Sequence, residues 1–136
     1  MISTKILKTF LLVNVLVYSA EYAVIIDKDS SVSKLSSKQL KDIYLMKRHF
    51  IGSTKIVPIN LPSELKIRNE FEKHVLHLNR EELNRYWVKK HFQGVTPPVM
   101  QSSDKSMKLF VKNVNGAIGY LPISQVDSDL KVIYEF

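Results

Sequence analysis

The sequence predicts a small three-layer α/β domain, a mostly parallel sheet flanked by helices. Three observations predict it. Short β-branched runs alternate with segments whose apolar residues recur every three or four positions. Helix-start signatures fall between those runs rather than inside them. No internal repeat, low-complexity stretch or linker divides the chain behind its first 20 residues, so its length suits one core.

The run 22–26 reads as a buried strand, and Asp27-Lys28-Asp29-Ser30-Ser31 breaks it. Ser36 with Gln39 three residues later is a capping box, and Leu40, Ile43 and Tyr44 line one face of the helix it opens. Residues 47–54 form a basic and aromatic loop around Gly52, and 55–61 a second strand, with Pro58 marking an edge or an irregularity. Ser63 is placed to cap a helix carrying Ile67, Phe71, Val75 and Leu78. Asn79 and Glu82 have the spacing of another capping box, and they open a helix with Leu83, Trp87 and Phe92 turned inward.

Gly94 ends that helix, and Pro97-Pro98 fixes an extended link. Ser102 or Ser103 caps a fourth helix bearing Met107, Phe110 and Val111. Asn115-Gly116 then turns the chain into the strand 117–121, and 130–136 is the last strand.

The first residues predict an address. Lys5 and Lys8 precede the apolar run 10–17, and Tyr18-Ser19-Ala20 supplies small residues at its exit, which is the pattern of a secretory signal peptide over residues 1–20. Cleavage after Ser19 or after Ala20 fits, and the run is too short for a membrane span, which needs about 20 apolar residues. The expected product is one domain, 21–136, soluble after cleavage and periplasmic. With no cysteine, disulfides, thiolate metal sites, a cysteine nucleophile and lipid attachment at a cysteine are all excluded.

The formal net charge is +7. Two of those positive charges, Lys5 and Lys8, lie in the leader, so the domain behind it carries +5. The signs alternate, as in Lys66, Arg68, Glu70, Glu72 and Lys73, and no block of five like charges occurs. That is an ordinary solvated surface, which argues against a nucleic-acid partner and leaves small anions as the fitting one.

Catalytic and metal chemistry find little to work with. His74 and His77 are three apart on a helix, but no carboxylate stands at metal-site spacing, so no metal and no cofactor is expected. His49 and His91 sit among lysines and aromatics, as on a rim. Glu81 and Glu82 are adjacent and point about 100° apart on a helix, which prevents them from flanking one bond. No serine sits in a nucleophile elbow, and Gly52, Gly94, Gly116 and Gly119 form no phosphate-cradling loop. The chain reads as a non-enzyme.

Helix starts rich in short polar residues are the remaining chemistry, since free N–H groups and hydroxyls there suit an anion. Asn60 and Ser63 precede the second helix, and Ser102 and Ser103 the fourth. Plain N-capping explains the same residues, and Glu64 opposes an anion at the first of them.

The order of four motifs carries a resemblance. Residues 23–28 (AVIIDK), 35–44 (LSSKQLKDIY), 55–60 (KIVPIN) and 116–120 (GAIGY) occur in the sequence and order of the phosphate-type periplasmic binding proteins of ABC transporters. The mature domain resembles one lobe of that type 2 periplasmic-binding-protein fold. The resemblance implies a phosphate-transport-related solute-binding domain with a small anion such as phosphate as ligand and a membrane transporter as partner.

The departures matter as well. Members of the family have two lobes, and they carry an arginine and a serine-glycine-threonine run where the second helix begins. Here that stretch is Ile59-Asn60-Leu61-Pro62-Ser63-Glu64-Leu65, in which only Ser63 matches. Asn60, Ser63, Ser102 and Ser103 are therefore the candidate anion-binding residues. The alternative is a ligand-free interaction or sensor module that engages a membrane protein through Arg48, His49 and Phe50, residue types favoured in interface cores.

Overall fold

In the computed structural model the described residues are Thr9, Leu11, Leu12 and 19–136. The leader read over 1–20 lies, apart from Thr9, Leu11, Leu12, Ser19 and Ala20, outside them. Strand β1 (Tyr22–Asp27) is followed by helix α1 (Ser37–Tyr44), the short strands β2 (Phe50–Ile51) and β3 (Thr54–Lys55), and β4 (Val57–Asn60). Helix α2 (Lys66–Phe71) runs on into a π-helical turn, Glu72–Leu76, and α3 spans Arg80–His91. Strand β5 (Val99–Met100), helix α4 (Asp104–Asn113), β6 (Ala117–Pro122), a 3₁₀ turn Ile123–Gln125 and β7 (Leu130–Glu135) complete the chain.

Five strands form one sheet in the order β5-β4-β6-β1-β7. β4 is parallel to β5 and β6, and β1 is antiparallel to both β6 and β7. Four strands therefore point one way, and β1, inserted between β6 and β7, opposes them. The expected mostly parallel α/β sheet is the one observed. β1 takes an interior place by composition, since Ala23, Val24, Ile25 and Ile26 are fully buried and suit a strand covered on both faces.

Pro58 sits inside β4 and yet breaks no ladder. The Val57 N–H donates to Gly116 O on the β6 side. Backbone groups alternate sides along a strand, so the position without an N–H faces β5, which pairs only from Ile59 onward. The irregularity expected at this proline is a change of pairing partner halfway along the strand.

Neighbouring residues of β6 fix the two helical layers. Tyr120 stacks on Phe71 of α2 with ring centroids 4.2 Å apart. Gly119, pointing to the opposite face, lies against Met107 of α4. Tyr44 of α1 meets Phe71 edge-on at 4.6 Å, so α1 and α2 share the first face. Leu40, Ile43, Phe71, Val75, Met107 and Val111 are the buried stripe of these helices, at the positions their spacing predicts.

The helix starts follow the sequence with one exception. Ser36–Gln39 and Asn79–Glu82 are reciprocal capping boxes, and Ser103 rather than Ser102 caps α4, with Ser106 as its partner. Ser63 caps nothing. A Pro62–Leu65 turn comes first, and α2 starts at Lys66 behind Leu65, without a side-chain cap.

Three further expectations are revised. Phe92 is 85% exposed instead of inward, because α3 ends at His91 and the chain has already left the core. The loop 47–54 is a β2–β3 hairpin turning at Gly52, with φ of 58°. The end of the proline link becomes β5, an edge strand beside β4.

Two glycines separate strain from crowding. Gly116 has φ of 77°, and a Cβ there would overlap the Lys55 carbonyl; at Gly119 the obstacle is the flexible Met107 thioether. Gly116→Ala should lose a left-handed penalty of about 1–2 kcal/mol together with overpacking of about 1–3 kcal/mol. Gly119→Ala should lose the overpacking alone, about 1–3 kcal/mol. Urea unfolding of the two variants checks the order, and an equal loss in both would refute it.

Candidate functional site

The carboxyl end of β4 is held by a phenol. The Tyr120 hydroxyl donates to Asn60 Oδ1 at 3.0 Å and accepts from the Leu61 N–H at 3.1 Å. Tyr44 donates to Ile59 O at 3.0 Å from the neighbouring position. Burial pushes both phenols above their ordinary pKa, so each is a neutral donor at neutral pH. These bonds leave Asn60 buried with its amide orientation set by Tyr120.

Beside it lies a charged cluster built by α2, the π turn and the first residue of α3. Glu72 is only 4% exposed and is ion-paired with Arg80 through Oε1. Its Oε2 lies 3.6 Å from Arg68 Nε, too far for a hydrogen bond, and both of those buried atoms are without a hydrogen-bond partner. Arg68 Nη1 donates to Leu61 O at 2.7 Å, and Arg80 Nη2 to Ser63 O at 3.2 Å. Two guanidinium groups thus share one carboxylate, and both are tied to the loop that leaves β4.

A cavity of about 390 Å³ opens against this cluster. Its polar wall consists of Asn60, Arg68, Glu72, Arg80 and Asn84. Its apolar wall includes Leu76, Leu83, Trp87, Pro97, Pro98 and Met100. The volume is at the small end of the range for ligand pockets, about 300–1,000 Å³. Two guanidinium groups against one carboxylate, together with the apolar lining, suit a small anion or an amphipathic acid. No group in the cavity has the arrangement of a nucleophile with its base.

The predicted site residues divide here. Asn60 lines the cavity. The Gln101 N–H donates to Asn60 O at 2.8 Å, so the start of α4 lies next to the exit of β4. Ser63, Ser102 and Ser103 are exposed and none of them lines the cavity. The Ser103 hydroxyl is engaged with Ser106, and Ser63 offers its carbonyl to Arg80. The two loops are adjacent, but the concavity between them is lined by arginines and asparagines instead of serines.

Arg48, His49 and Phe50 lie on the surface around the start of the hairpin. Phe50 is 52% exposed, while Ile51 packs against the core. Arg48 Nε donates to the Phe50 backbone carbonyl at 3.3 Å. His74 in the π turn and His77 just after it have separate partners, His74 with Glu70 at 2.9 Å and His77 with the Ser37 hydroxyl at 3.3 Å. Among the described residues no helix is long and apolar enough to cross a membrane.

Arg68, Glu72 and Arg80 escape a reading based on alternating charge. The signal that identifies two of them is the i,i+4 row Arg68–Glu72–Leu76, which lies beside the apolar stripe Ile67–Phe71–Val75.

No protein-family model matches the chain, and no curated protein sequence matches it. Solved structures do match. An ABC-type phosphate transport receptor from Vibrio cholerae superposes with a TM-score of 0.66 at 20% identity, over 84% of this chain and 45% of its own. PstS from Borrelia burgdorferi gives 0.63 at 12% identity, over 84% and 46%. At such identities the likeness is one of fold. The chain spans about half the length of these structures and has the architecture of a single lobe of phosphate-type periplasmic binding proteins. These neighbours are transport substrate-binding proteins rather than enzymes.

Removing Glu72 leaves two partly buried guanidinium groups without their counter-charge. Glu72→Ala should destabilise the fold by about 3–5 kcal/mol, the usual cost of breaking a buried ion pair from one side. Urea denaturation measures it, and a loss below about 1 kcal/mol would show that the cluster does not depend on this carboxylate.

Proposed function

We propose that the chain is an exported, periplasmic solute-binding-protein-like domain, related to phosphate transport, that binds a small anion at the carboxyl end of β4 and performs no catalysis. The observation that carries this reading is the pair of guanidinium groups, Arg68 and Arg80, sharing the single buried carboxylate of Glu72 beside Asn60. One positive charge is left over at the wall of a cavity, where solvent screening is weaker than on an open surface. The fold neighbours support the same direction, since one is by name a phosphate transport receptor. Asn60 contributes its amide from the cavity wall, and Ser63, Ser102 and Ser103 are the polar rim around the adjacent loops. The leader supplies export, and a membrane transporter is the partner that would use the captured anion.

Isothermal titration with phosphate and with sulfate tests this. Heat at millimolar anion is expected, with affinity falling about tenfold in Arg80→Gln, as suits loss of a charge-assisted contact. No heat from the folded protein with either anion would overturn the reading.

A second reading is favoured by Phe50, which stays exposed on the hairpin while its carbonyl holds Arg48. There the domain is an interaction or sensor module that engages a membrane protein through Arg48, His49 and Phe50. In co-purification with solubilised membrane proteins, Arg48→Ala with Phe50→Ala should lose the captured partner. Equal capture by the double variant would remove this surface.

A further inference from the structure

We propose that the cavity beside Arg68 and Arg80 is selective for an organic monocarboxylate with an apolar body, a deepening that rests on the anion-binding reading above. Charge sets the head group. Two guanidinium groups less one carboxylate leave a single positive charge, which balances a monoanion, and the buried Glu72 carboxylate repels a second negative charge on the ligand.

Shape sets the rest. A bare phosphate occupies a small part of about 390 Å³ and leaves Leu83, Trp87, Pro97 and Pro98 facing water. An alkyl or aryl chain covers those walls, with a gain that grows with the apolar area removed from water. Asn60 and Asn84 stand on the polar side and hold the carboxylate in register with the arginines.

Trp87 is the chain's one tryptophan and lines the apolar wall, so its fluorescence reports whether the cavity is filled. The purified protein is titrated at neutral pH with hexanoate, 1-hexanol and inorganic phosphate, and heats are recorded alongside Trp87 emission. Hexanoate should bind at least about tenfold more tightly than either of the others, and should shift the emission to the blue. Trp87→Ala, on the apolar wall, should weaken hexanoate at least about tenfold as read by heat and leave phosphate within about twofold.

Phosphate binding equal to or tighter than hexanoate overturns the selectivity and leaves the anion site standing. Hexanol binding as tightly as hexanoate also overturns it, by showing that the arginines take no part. No response to hexanoate or phosphate removes both readings together.

Discussion

The hydroxyl of Tyr120 is the contact on which the rest is arranged. It lies on β6, two strands from the sheet edge, and it reaches across to hold both the side chain of Asn60 and the N–H of Leu61. A buried hydroxyl has one proton and two lone pairs, and here the proton and one lone pair are used on the segment that leaves β4. The ring beneath it stacks on Phe71, so the same residue couples the sheet to α2. Local strand pairing, helix docking and the position of the loop at the cavity are therefore coupled through one side chain. Tyr44 repeats the arrangement one residue earlier, with its hydroxyl on Ile59 O.

Glu72 poses the opposite problem, a charge taken out of water inside a helix. The π turn begins at this residue, and its extra backbone residue re-aims the side chains that follow. His77 then ends the turn in the left-handed region, with φ of 54°, and the Leu78 N–H returns to Glu72 O. The Ser37 hydroxyl satisfies Val75 O, a carbonyl that the widened turn leaves available near its end. Irregular helices of this kind are frequent at functional sites, and here the irregularity places one carboxylate between two arginines. Net stabilisation from such a buried cluster is small, because desolvation offsets most of the attraction. Its retained effect is positional, since both arginines also hold carbonyls of the loop after β4.

Much of the fold was legible because it depends on local rules. The boxes Ser36–Gln39 and Asn79–Glu82 are spacing signals with a local mechanism, and both form. The stripe Leu40–Ile43–Tyr44 and the run 23–26 bury as their periods require. Strand direction was not legible at β1, because an apolar run carries no information on which way its neighbours point. Nor was β5, whose two residues are too few for any period and pair only because Pro97 and Pro98 hold the chain extended beside β4. Ser63 had the chemistry of a cap, but the Pro62–Leu65 turn decided where α2 could begin. At the candidate site, Asn60, which lines the cavity, was named from the sequence, and the arginines beside it were not. Alternating charge describes a solvated surface well, and it fails at Glu72, which is buried one position along from the apolar stripe.

Arg80 shows how far local helix preference is set aside here. It is the first residue of α3, where the helix dipole presents its positive end and a cation is unfavourable. Glu81 and Glu82 in the same turn complement the dipole, so α3 does not need Arg80 and is weakened by its charge. The guanidinium turns back toward Glu72, Ser63 and Asn69, away from its own helix. The charge of Arg80 therefore stands on the wall of the cavity against Glu72, while Glu81 and Glu82 answer the positive end of α3. A residue unfavourable for its own helix is explained by its partners, since Arg80 supplies the counter-charge of buried Glu72 and holds the Ser63 carbonyl of the loop after β4.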